Sequence, residues 1–192
     1  STEDFVRRCS PAPGSRGQVV PAKRVALLGK DNPNLFETIF HFGTLLLLDC
    51  ASTADLEEHS DRRRLPSFWF AHGYAEWFAC FKRTAAGGFQ FGEGISESAL
   101  RLPRSPKELP SLSELISLSR DDFQKKMEAG GTGPQSPQKL QAQAWAFVYF
   151  LKTADGGRRR DALRAYAKAE FAGKGGLEAA KEAFGDLDAL DA

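Results

Sequence analysis

Apolar residues recur at helical spacing along most of this chain, and strand-like alternation is confined to a few short stretches. The stretch most dense in aromatics is LPSFWFAHGYAEWFACF, residues 65–81. Pro66 suits a first helical turn and no breaker follows before Thr84, so the pattern predicts a helix of about five turns. At helical spacing His72 and Glu76 are i,i+4 neighbours on one face with Phe68 and Ala79. Upstream, Asn32 as N-cap, Pro33 at the first position and Glu37 in the first turn predict a helix reaching about Cys50. Its apolar residues, among them Phe40, Phe42, Leu45 and Leu48, fall nearly all round, the pattern of a helix central in its domain. His41 is one of its few polar side chains.

The remaining elements follow by the same rules. Residues 1–17, rich in Pro, Gly, Ser and Arg, read as an irregular arm, and 18–192 as a single domain. QVV and VALLG within Gln18–Gly29 predict one or two strands with a break at Pro21. GGFQFGEGI predicts a short hairpin or an irregular strand, and residues 102–110 an extended loop. Ser111 caps SLSELISL, Ser119 with Asp122 opens DDFQKKMEA, and residues 130–134 form a turn. Ser136-Pro137 begins a long helix with a buried stripe of Leu140, Ala144, Phe147, Val148 and Leu151. Two more helices, DALRAYAKAEFAG and LEAAKEAFG, stop at Gly173 and Gly185. The fold class expected is mainly α (α+β), with a small N-terminal strand element and one short hairpin.

Composition narrows the function. With 26 basic and 25 acidic residues the net charge is +1, which leaves no basic excess for general nucleic-acid binding. The runs at residues 62–64 and 158–160 read as solvated arginines. Cys9, Cys50 and Cys80 form no CxxC or metal-knuckle pattern, and the last two, in apolar surroundings, read as buried free thiols. The longest apolar run, Leu45–Leu48, is too short to span a bilayer, so no membrane insertion is expected. The chain begins at Ser1 rather than Met and shows no signal peptide; an upstream segment is expected, and the compartment stays open.

Three histidines are available for chemistry: His41, His59 and His72. His59 lies in a charged connection and reads as solvated. His41 and His72 lie on successive aromatic-rich helices, the second with Glu76 one turn on, which suits either a functional set or a hydrogen-bonded core contact. No G-x-S-x-G elbow is present, and the glycine pairs do not open a helix as a phosphate loop would.

An apolar helix with His41, the segment LPSFWFAHGYAEWF, the later QAWAFVYFL and a final AFG together resemble the peptidase-MA-like gluzincin metallopeptidases, over roughly residues 36–188. That resemblance implies a first helix bearing H-E-x-x-H, whose histidines bind zinc and whose Glu is the general base, with a third ligand on the second helix. Position by position, His41 matches the first ligand, Phe42 stands for the base, Leu45 for the second histidine and His72 for the third ligand. Gly73, Ala75 and Glu76 keep the pattern. The resemblance therefore implies a degenerate, catalytically inactive domain that binds a peptide or partner protein. A rearranged zinc hydrolase using His41, His72 and Glu76 is the alternative, and a metal-free helical interaction module, with His72 and Glu76 satisfying each other, is another. An exposed apolar patch at Phe89 and Phe91 would favour the last.

Overall fold

The computed structural model describes residues 17–20, 25–28, 34–53, 66–92, 94–96, 102, 108–130, 133 and 135–191, with backbone alone for 17–20, 25–28 and 52–53. In chain order it runs β1 (Gly17–Val20), β2 (Val25–Leu28), α1 (Leu35–Thr53), α2 (Phe68–Ala79), β3 (Phe81–Arg83) and β4 (Phe89–Phe91). Then follow α3 (Leu112–Ser117), α4 (Arg120–Ala129), α5 (Pro137–Thr153), a 3₁₀ turn (Ala154–Gly157), α6 (Arg160–Phe171), α7 (Leu177–Phe184) and α8 (Leu187–Asp191). The architecture is mainly helical, with two antiparallel strand pairs among the described residues, β1 with β2 and β3 with β4. The expected cap at Asn32 and Pro33, the break at Pro21, His59, Cys9 and the arm up to residue 16 lie outside the described residues.

Helix α2 is the centre. Phe68, Trp69, Phe70 and Ala71 are all buried, and the helix packs between α1 on one side and α5 on the other. Gly73 makes this possible: a Cβ there would stand 2.6 Å from both the Ala144 carbonyl oxygen and Val148 Cγ2 of α5. The predicted α5 stripe, Leu140, Ala144, Phe147, Val148 and Leu151, is the matching surface and is entirely buried. Its core extends through Leu115, Leu163, Tyr166 and Phe184 to the C-terminal helices.

Helix α1 is peripheral, contrary to the expectation of a central helix. Leu35, Phe36 and Ile39 are exposed, and Leu47 keeps 71% of its surface in water. Its apolar residues point in more directions than α2 can cover. Only Leu45 is fully enclosed among its apolar side chains, in a small cluster with Ala71 and Ala75 of α2.

Helix α2 also ends earlier than predicted. Phe81 leaves the helix to pair with Phe91 across β3 and β4. There it joins an aromatic cluster, 5.1 Å from the Phe40 ring and 5.0 Å from Phe89 by centroid. Those ring contacts outweigh the helical propensity of the segment. The turn closes with the Gly87 amide on the Thr84 carbonyl at 3.0 Å and Gly87 at φ +80°, so the expected hairpin lies one strand further upstream. Phe89 is exposed while Phe91 is half-buried.

The helix-start signals read well. Ser111 and Glu114 form a full capping box on α3. Ser119 Oγ accepts the Asp122 amide at the start of α4, but Asp122 answers through the Ser119 hydroxyl rather than its backbone. At the arginine run, Arg158 and Arg160 are exposed, whereas Arg159 is half-buried over the Phe150 ring at 5.1 Å.

Candidate functional site

The packing of α1 on α2 brings His41 against Glu76. His41 Nδ1 lies 3.2 Å from Glu76 Oε2, and each side chain keeps only about a fifth of its surface exposed (19% and 20%). Ser96, buried on the segment after β4, donates its hydroxyl to Glu76 Oε1. Both carboxylate oxygens therefore take a donor from a different part of the chain. A carboxylate on Nδ1 fixes the ring's orientation and leaves Nε2 as its second functional nitrogen.

His72 sits behind this pair. Its ring centroid lies 6.0 Å from that of His41, 4.9 Å from Phe68 and 5.3 Å from Phe123. Its Nδ1 is buried without a hydrogen-bond partner among the described residues. Burial first, then the neighbouring His41 and Arg120, push the imidazole down to about 3, with Glu76 opposing, so it is neutral at neutral pH. Arg120 of α4 in turn pairs with Asp49 of α1 at 2.9 Å. A line of polar side chains thus runs from Asp49 and Arg120 past His72 to His41, Glu76 and Ser96.

The three residues singled out in the sequence are brought together, but not in the expected relation. His72 and Glu76 share a helix face and do not hydrogen-bond each other; Glu76 turns to α1 instead. The idea that the two satisfy one another in the core is corrected by this geometry. Helical spacing gave the face, and the approach of α1 chose the partner.

His41 and Glu76 line a cavity of about 450 Å³ between α1, the end of α2, the start of α5 and the Gly94–Ser96 segment. Glu37, Gln138 and Gln141 add polar walls, and Phe42, Phe81 and Ile95 apolar ones. Cys80, also in the lining, is a free thiol pushed up to about 12 by burial first and by Glu76 second, which leaves it without thiolate character. Ser96, Gln138 and Gln141 gave no signal in the sequence, because each reaches the cavity through tertiary packing.

Zinc is the metal the resemblance implies, and the residues present do not fit it. Leu45, at the second-histidine position, is buried against Ala71 and Ala75. Glu76 has both oxygens engaged by His41 and Ser96. Among the described residues no three His, Cys, Asp or Glu side chains are grouped as a metal ion requires. Nor is any described helix long and apolar enough to cross a membrane. Compared with known proteins, the sequence matches no family model and no curated protein, and the fold matches no solved structure.

Proposed function

We propose that this chain is a metallopeptidase-like domain of gluzincin type that has lost hydrolysis and binds a peptide segment of a partner in the cavity at His41 and Glu76. The observation that supports it is the pairing of His41 on α1 with Glu76 on α2 at the wall of a 450 Å³ cavity, while Phe42 and Leu45 occupy the base and second-ligand positions. Phe42 cannot take a proton from water, and Leu45 cannot bind a metal. What remains is a recess with mixed polar and apolar walls, the kind of surface that recognises a side chain and its backbone.

The test combines metal analysis with a binding screen. Protein purified without chelator or nickel, then exposed to zinc, is expected to hold far less than one zinc per chain and to leave a quenched peptide library uncut. An arrayed library of unmodified octapeptides is expected to contain members whose titration moves the amide resonances of His41, Glu76 and Ser96. About one zinc per chain, lost in His41→Ala or His72→Ala and accompanied by chelator-sensitive cleavage, would replace this reading with the rearranged hydrolase. A library with no binder would remove the peptide-binding role.

A further inference from the structure

We propose that Lys152 is a nucleophilic amine and the preferred site on this chain for acylation by an acyl phosphate. It stands near the end of α5, half-buried, with Nζ 4.0 Å from the centre of the Trp77 ring and 5.0 Å from that of Tyr74, both on α2. Its ammonium makes no hydrogen bond or ion pair among the described residues, whereas Lys125 pairs with Asp122 and Lys181 with Glu178. The charges that act on it most are positive. Arg160 Nε donates to the Lys152 carbonyl oxygen at 2.7 Å, which fixes that guanidinium where α5 gives way to α6. Arg164 follows one turn on, on the same face of α6, and acts on Tyr74 as well as on Lys152. Of the nearby carboxylates, Asp161 pairs with Arg164 at 2.8 Å and Asp155 lies exposed in the intervening 3₁₀ turn.

Burial first, then Arg160 and Arg164, holds this amine below the usual lysine range, so more of it is free base at neutral pH than of an exposed lysine. The rings attract the ammonium, but they also keep water from one side of it. The same two guanidiniums attract a reagent that carries phosphate, because their forks of N–H donors match its oxygens. In the step, the amine lone pair attacks the acyl carbon and an N–C bond forms. The bond from that carbon to the phosphate oxygen breaks, phosphate leaves with the electron pair, and the amine proton passes to water. Nothing is oxidised or reduced. The amide so formed is uncharged: it gives up the attraction to Trp77 and Tyr74 and ends the repulsion from Arg160 and Arg164, so the fold tolerates it.

The test treats the full chain with limiting acetyl phosphate at neutral pH and follows initial acetylation at each lysine by peptide mass spectrometry. Lys152 is expected to react about fivefold faster than the exposed Lys125 and Lys174. With N-hydroxysuccinimidyl acetate, which carries no charge, the lead is expected to fall to about twofold, and added salt should narrow the lead seen with acetyl phosphate. Arg164→Gln is expected to slow Lys152 about threefold with acetyl phosphate, raise the pH midpoint of its reaction and leave the melting temperature unchanged. Lys181→Gln, on α7, should leave all three readouts as they are. A Lys152 rate no greater than that of Lys174 with either reagent overturns the proposal. An equal lead with both reagents leaves a reactive amine and overturns the acyl phosphate assignment. An unmoved pH midpoint in Arg164→Gln overturns the part given to the guanidiniums.

Discussion

The two halves of α2 each engage a carboxylate, and the two are used differently. At its start, Glu170 of α6 accepts the Ser67 backbone amide, the N-cap position, from a site only 5% exposed. The Tyr166 hydroxyl beside it accepts from Trp69 Nε1 at 3.2 Å and from the Gly176 amide at 3.2 Å. That end is sealed in the core. A negative charge over a helix N-terminus, joined to donors from α2 and the turn before α7, closes the C-terminal helices onto the central one. In the second half Glu76 has His41 and Ser96 on its two oxygens, and with a fifth of its side chain exposed it faces a cavity. Near it the buried His72 Nδ1 has no hydrogen-bond partner among the described residues. Among the described residues each half leaves one buried polar atom without a hydrogen-bond partner, Glu170 Oε2 at the start and His72 Nδ1 further on, so the halves differ in access to the cavity rather than in how completely they are paired.

The comparison is broken most directly at Glu170. Glu170→Ala leaves the Ser67 amide of α2 without its acceptor and is expected to cost about 3 kcal/mol in urea unfolding. A loss below about 1 kcal/mol would place this carboxylate among the surface charges instead. Gly73→Ala lies between the two halves and acts on both. Its methyl would collide with the Ala144 carbonyl oxygen and Val148, forcing α5 away at an expected cost of about 2 kcal/mol. Because α5 also supplies Gln138 and Gln141 to the cavity, the same substitution should weaken peptide binding.

The difference between the halves was only partly legible in the sequence. Local signals read correctly: the α5 stripe, the Ser111 cap and the stops at Gly173 and Gly185 all depend on residues within one turn of each other. What needed distant partners did not. Phe81 reads as helix until Phe40, Phe89 and Phe91 come together around it. Glu170 gave no hint of capping a helix that begins more than a hundred positions earlier in the chain, at Ser67. His41, His72 and Glu76 were visible as unusual residues on adjacent helices. Their pairing was not, because i,i+4 spacing favours His72 with Glu76 and only the crossing of α1 substitutes His41.

His72 sharpens the comparison through pH. Its folded form stays neutral down to about pH 3, while the unfolded chain takes up a proton near 6.5. Between those values the unfolded state binds more protons, so the stability associated with the neutral ring is complete above 6.5 and is lost as pH falls toward 3. The slope is at most about 1.4 kcal/mol per pH unit, less to the extent that solvent reaches the ring. His72→Gln should flatten that part of the urea-stability profile, and a parallel profile would show that the imidazole is solvated in the folded protein.

The smallest effect on stability is expected at Glu76 itself. Glu76→Ala removes the partner of His41 and Ser96, yet with a fifth of its side chain exposed and a cavity beside it, water can enter and rehydrate both donors. The expected cost is below about 1 kcal/mol, a fraction of that at Glu170, although Glu76 has a partner on each oxygen and Glu170 has the Ser67 amide on Oε1. If Glu76→Ala proved as damaging as Glu170→Ala, the second half of α2 would be core like the first, and the pairing with His41 would be explained by folding alone. A small cost combined with loss of peptide binding is the result that separates the two, because it shows a carboxylate held in place by the fold and used by a ligand.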